Sequence, residues 1–315
     1  MSLLSLFQVL MCPPDQPPQG GEAAKPVSLW REAVRRYCDS TAAVTALLVL
    51  GLLVAVTWFG PLFSSYSPDE PDWDAISSPP QFERGHYFGT DGIGRDLFVR
   101  TLYAGQTSLT VGLIGTLVSL VIGVSYGAIA GYLGGRVDAL MMRIVDVLYA
   151  LPFMFFVILL MVYFGRDILL MFVAIGAVNW LDMARIVRGQ TMSLRNREFV
   201  VAAVVAGSST PQIIVRHIVP NLLGIVVVYV TLTVPQVILV ESFLSFLGLG
   251  IQEPQTSWGA LVNEGAQEME SSPWVLLFPA GFLAVTLFCL NFIGDGLRDA
   301  LDPRDRGVSG GGHGC

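Results

Sequence analysis

RNREFVVAAVVAGSSTPQIIVRHIVPN, residues 195–221, stands between two long apolar runs, and its reading decides the fold. It is too charged to cross a bilayer and too well punctuated to be a slack loop. Glu198 to Ala206 is built of good helix formers and stops at Gly207, the residue type that accepts a left-handed helix end without steric penalty. Ser209-Thr210-Pro211 then supplies a capping hydroxyl and a proline suited to a first helical turn. The second limb is expected to run to His217 and to be closed by Pro220, which has no N–H and clashes with a continuing helix. The stretch predicts a helix–turn–helix hairpin held between two membrane spans, with its tip offered to a partner.

The rest of the composition suits that setting. Hydrophobic residues make up 53% of the chain and charged ones only 14%, with a mean hydropathy of +0.62. That is too apolar for an ordinary water-soluble domain. A net charge of −7 with scattered arginines excludes a nucleic-acid partner. The four cysteines show no metal-type spacing, and Cys289 sits inside an apolar run as a small core residue.

A bilayer core of about 30 Å takes about 20 apolar residues in a helix. Six segments meet or approach that length: 41–59, 108–130, 147–164, 168–184, 222–240 and 274–293. The fourth is the weakest, because Asp182 and Arg185 interrupt it. The second carries Gly112, Gly115, Gly123, Gly127 and Gly131, spacings that let helices approach closely in lipid. Pro235 is expected to kink the fifth. The chain is thus expected to be an all-α integral membrane protein of six spans. Residues 1–40 form a tail with a short amphipathic helix, 41–59 the first span and 60–104 an outer loop. Residues 105–302 form a core with five spans and the hairpin, and 303–315 a second tail. The outer loop contains FGTDGIGRD (88–96), which starts like a dinucleotide fingerprint. Leu97 occupies the third glycine's place, however, and no strand precedes it, so a structured turn is the reading.

Positive charge sets the orientation. With both termini in the cytoplasm, 14 of the 18 Lys/Arg fall inside, and only Arg84, Arg95, Arg100 and Arg166 fall outside. The hairpin is therefore expected on the cytoplasmic face.

No catalytic centre is legible. His86, His217 and His313 fall in three different segments, and the ionisable residues at span edges, Asp146, Asp182, Glu241 and Asp295, read as interfacial or capping groups, or as lining for a polar path. Lys25 is the only lysine and stands between Ala24 and Pro26. A phosphate-binding loop needs Gly-Lys-Ser/Thr, so any ATP that drives this protein must be hydrolysed by another chain. The chain is not expected to be an enzyme or to hold a cofactor or metal itself.

The segment Val201-Ala-Ala-x-x-x-Gly207, followed by His217-Ile-Val-Pro220-Asn221, resembles the cytoplasmic coupling loop of binding-protein-dependent ABC importer permeases. Ala202, Ala203, Gly207 and Pro220 match; the loop's name-giving glutamate position is Val201, a departure, and the resemblance implies that the acid's role is either dispensable here or shared with Glu198. The stretches HYFGTDGIGRDLFVR, AGYLGGRVDALMMRIVD, WLDMARIVRGQ, ESFLSFLGLGIQEPQTSWGALV and FPAGFLAVTLFCLNFIGDGLRDALDPR are similar to the dipeptide/oligopeptide/nickel group, with the oligopeptide branch the best match. The resemblance implies the type I importer permease fold and one half of a translocation path in a bacterial inner membrane. It implies as partners a homologous second permease, two ATP-binding subunits that bind ATP and Mg, an extracytoplasmic peptide-binding protein, and a peptide substrate. The coupling residues it points to are Glu198, Val201, Ala202, Ala203, Gly207, Pro211, His217 and Pro220. Loops 60–104 and 250–273 would receive the binding protein, with TSWGALV as a short helix dipping back from that face. Dipeptide or nickel-chelate import are the nearest alternatives. A secondary transporter should show an inverted repeat, and a channel needs no motor-docking hairpin.

Overall fold

A computed structural model describes residues 29–164 and 168–301, so the expectations for residues 1–28, for Arg166 and for the tail 303–315 lie outside the described residues. Helix α1 (Leu29–Asp39) leads through the N-cap Ser40, whose hydroxyl accepts from the Ala43 N–H, into α2 (Thr41–Phe59). A short 3₁₀ turn (Gly60–Phe63) ends α2, and an irregular segment follows to the start of α3 (Leu97–Leu133). After α3 come α4 (Gly135–Ala150), α5 (Phe153–Phe164), α6 (Ile168–Arg195), α7 (Glu198–Val205) and the single turn α8 (Thr210–Ile213). A π-helical step (Ile214–Ile218) joins α8 to α9 (Val219–Phe246); α10 (Trp258–Gln267) and α11 (Trp274–Leu301) complete the order.

Among the described residues the regular structure is helical, and four helical stretches are long and apolar enough to cross a membrane: Thr41–Phe63, Leu97–Leu133, Thr210–Phe246 and Trp274–Leu301. Around them α3 is the central strut. It packs along α6 on one side and α9 on the other, while α11 runs beside α2 and α9. The α3–α6 contact is made by glycine. A Cβ on Gly123 would lie 2.6 Å from Met183 Cβ, and one on Gly131 would lie 2.6 Å from the Arg188 carbonyl oxygen. Bare backbone on α3 is what lets α6 sit this close.

Several expectations need correction. The outer loop does not extend to residue 104, because α3 begins at Leu97 with Asp96 as N-cap, its carboxylate accepting from the Val99 N–H at 2.8 Å. The third span is not one rod from 147 to 164. Leu151 takes an extended backbone before Pro152, breaking α4 from α5 as the residue before a proline tends to do. The twelve residues of α5 span only about 18 Å. The fourth segment, by contrast, does not stop at Asp182: α6 continues to Arg195. Its charges are met by α4, where Asp146 accepts from Arg185 at 2.8 Å, Tyr149 lies under the Arg185 guanidinium, and Asp138 takes both arms of Arg188 at 2.5 and 2.6 Å. Two-point pairing of that kind is the geometry in which an arginine is well tolerated near lipid.

Candidate coupling hairpin and the polar knot at the far end

The hairpin forms as its caps dictate. Arg197 is extended and starts α7; Gly207 has φ +82, and its neighbours close the helix with Ser208 N–H to Ala203 O and Gly207 N–H to Val204 O, both at 3.0 Å. This six-to-one, five-to-two pair is a Schellman end, and it needs a residue that tolerates the left-handed region. Ser209 N–H then donates to Gln212 Oε1 at 3.0 Å, and Pro211 sits in the first turn of α8.

Pro220 does not close the second limb. The helix widens through Ile214–Ile218, with Val219 N–H reaching back to Ile214 O, and Pro220 falls in the first turn of α9. A proline ring clashes with the carbonyl four residues earlier, here that of Arg216, and the widened π turn lies at that point. The chain therefore passes from hairpin to long helix with no loop between them.

The two faces of the hairpin differ. Val200, Ala203, Ile213 and Ile218 are buried and join Ala128, Met183, Val187, Leu222 and Val226 in one apolar cluster, so the hairpin is seated on α3, α6 and α9. Glu198, Val201, Ala202, Gly207, Pro211 and Pro220 are exposed, and His217 is half-buried, its carbonyl accepting from Asn221 Nδ2 at 2.6 Å. Of the alanine pair only Ala202 faces out; Ala203 is a packing residue. The outer face also carries valines: Val205 is 84% exposed, and Val201, Val204 and Val215 are exposed too. Contiguous exposed apolar surface of this kind is more common at interaction sites than elsewhere on a protein.

At the opposite end of α3 the segment DGIGRDLFVR folds into a polar knot. Asp91 Oδ1 accepts from the Ile93 and Arg95 N–H groups, and its Oδ2 accepts from Arg95 Nε at 2.8 Å and Arg100 at 2.6 Å. Arg100, only 2% exposed, also donates to Glu264 of α10 at 2.8 and 3.2 Å, and Arg95 donates to Glu253 at 2.7 Å. The hydrogen bond from Arg95 holds the Glu253 carboxyl below its usual range. Burial pushes Asp96 the other way, although His86 Nδ1 lies 2.8 Å from it. His86 Nε2 faces Asp72 at 3.4 Å, and the Tyr66 ring stacks on the imidazole. The knot joins residues more than 150 positions apart, and no local pattern announces it. The only hint is a pair of arginines within ten residues of two aspartates. Of the span-edge acids, Asp182 and Asp295 are exposed and Asp146 is paired, whereas Glu241 is fully buried. Among the described residues no cluster of three or more His, Cys, Asp or Glu is arranged to hold a metal ion.

The seated hairpin and the four long apolar helices are those of a membrane-spanning helical protein. Residues 123–307 match the family described as binding-protein-dependent transport system inner membrane component, and the chain belongs to that family. More narrowly, residues 28–80 match the N-terminal transmembrane domain of oligopeptide transport permease C. Similar proteins include the oligopeptide transport system permease OppC of Escherichia coli K12, 61% identical over 89% of this chain and 92% of its own length. The OppC of Haemophilus influenzae is 57% identical over 89% and 90% of the two chains. The dipeptide transport system permease DppC of Bacillus subtilis is 44% identical over 89% and 87%.

Proposed function

We propose that this chain is the permease subunit of an ATP-driven, binding-protein-dependent oligopeptide importer in a bacterial inner membrane. The observation that carries the mechanism is the hairpin 195–221: anchored on three long helices by its inner face and apolar on its outer face. ATP and Mg are bound by two partner subunits, and the hairpin sits in a groove of one of them. Closure of the ATPase pair pushes the hairpin as a unit. Because the π step joins α8 to α9 without a break, that push passes directly into a membrane-length helix. A homologous second permease completes the path, and the peptide site between the two alternates between faces.

Six spans fit this reading, with the α4–α5 pair and α6 supplying the third and fourth. The break at Leu151–Pro152 is tolerable where neighbouring protein covers the freed backbone groups. Both termini and the hairpin face the cytoplasm; the knot end faces outward and receives the peptide-loaded binding protein. Identities of 61% and 57% to the oligopeptide permeases of Escherichia coli and Haemophilus influenzae support oligopeptides as substrate.

The contact itself is hydrophobic and shape-based, since the acidic position of the loop is Val201. Replacing the exposed Ala202 with Asp, or Gly207 with Val, is expected to abolish peptide uptake. The chain should remain in the membrane while ATP-binding subunits are lost on co-purification. The glycine substitution acts through the turn: a β-branched residue at φ +82 costs about 1–2 kcal/mol. Normal uptake and intact co-purification in both variants would overturn the coupling assignment.

A further inference from the structure

Glu241, in the last turns of α9, is 0% exposed and is not accounted for by the coupling hairpin or by the ionic knot. Its carboxylate accepts from Ser245 at 2.7 Å and from Ser108 of α3 at 3.1 Å, with Ser242 at 3.4 Å. Ser108 has one proton, which it gives to Glu241. Its lone pair accepts the backbone N–H of Trp258 at 3.2 Å. That N–H belongs to the first residue of α10, one of the donors a helix start leaves without an intrahelical partner. A relay therefore runs from the start of α10 through Ser108 to Glu241 and ties three helices at one point. The positive end of α10 faces the acid, a favourable arrangement.

Everything around the relay enforces close approach. The Trp258 indole lies so near Gly105 that an added Cβ there would stand 2.6 Å from the ring, and its Nε1 donates to Thr101 O at 3.0 Å. A Cβ on Gly259 would strike the Ser242 backbone. An apolar side chain at 241 would fill the space without the cost of drying a carboxylate. What it could not do is receive the hydroxyl that receives the α10 N–H.

We infer that Glu241 is a positioning residue: through Ser108 it fixes the start of α10, and so sets the outward surface 250–267 that meets the binding protein. The inference rests on the docking role given above to that surface. Hydrogen-bond geometry, not charge, is the requirement, so glutamine should serve and alanine should not.

Two readouts on the full complex in proteoliposomes test this. The first is ATP hydrolysis against the concentration of peptide-loaded binding protein. Ser108→Ala and Glu241→Ala are each expected to raise the half-saturating concentration about tenfold and Glu241→Gln less than about twofold, the losses expected for buried hydrogen bonds. Basal hydrolysis should be unchanged. The second is the rate at which a membrane-impermeant maleimide labels Val262→Cys, which should rise about fivefold in the alanine background and stay at the parental rate with glutamine, as α10 loosens locally. Unshifted half-saturation together with unshifted labelling overturns the inference. So does an equal fall in basal and stimulated hydrolysis without a shift in half-saturation, which marks a packing defect. If the parental complex shows no response to binding protein while labelling behaves as stated, the docking role fails and the positioning role stands.

Discussion

Arg100 illustrates how one residue can be structurally decisive without being visible as such. It lies four residues after the N-cap of α3, where a membrane helix would ordinarily carry an apolar side chain, and the knot makes it tolerable by surrounding it with Asp91 and Glu264. Removing one partner of a buried charge cluster leaves the others unpaired and costs about 3–5 kcal/mol. Arg100→Met is therefore expected to lower the thermal midpoint of the detergent-solubilised protein by several degrees, measured by fluorescence-monitored melting. Arg84→Met, at an exposed site, should leave it unchanged. Equal midpoints for the two variants would contradict the account of the knot. The sequence displayed Arg95 and Arg100 beside Asp91 and Asp96, but the contribution of Glu253 and Glu264 was not legible. Those acids arrive from across the fold, and ion pairing has no sequence period.

At the scale of elements, the most informative pattern was the glycine spacing of α3. Gly123, Gly127 and Gly131 recur every four residues, and each meets backbone or a Cβ of α6. Gly127→Leu is expected to force the pair apart at a cost of about 2–3 kcal/mol, read as a loss in thermal midpoint and in recovery of the folded protein. Gly189→Ala and Gly224→Ala are the contrasting cases, since nothing lies within 4 Å of an added Cβ at either site. Both helix glycines should gain about 0.5–1 kcal/mol. The close approach could be read from the chain because small residues on one helix face have one main use in lipid. Which helix fills the groove could not, because α6 offers no matching stripe and its charged half argued against its length. The neutralising aspartates of α4 carry that half, and only the packing brings them there.

Taken whole, the molecule has two distinctive ends joined by α3 and α9. The hairpin lies at one end, and the knot with α10 lies at the other. If the first end is cytoplasmic, a cysteine replacing Ser209 should resist membrane-impermeant thiol reagents added outside intact cells, and one replacing Val262 should be labelled, though slowly because it is half-buried. The opposite pattern would reverse the orientation. Long apolar runs, the charge asymmetry of the short loops, the capped hairpin and the missing phosphate-binding lysine are all local or additive properties. They were sufficient to read an all-helical membrane protein with a capped helical turn, and they led to the expectation that any ATP is hydrolysed by another chain. Tertiary structure decided the continuity of that turn with α9, the inward role of Ala203, the break at Leu151–Pro152 and the burial of Glu241 against α3 and α10. The break and the continuity turn on how two prolines, Pro152 and Pro220, are accommodated locally. The burial of Ala203 and Glu241 depends instead on which surfaces meet, for Glu241 across 133 residues to Ser108, and burial and pairing belong to the meeting rather than to either segment alone.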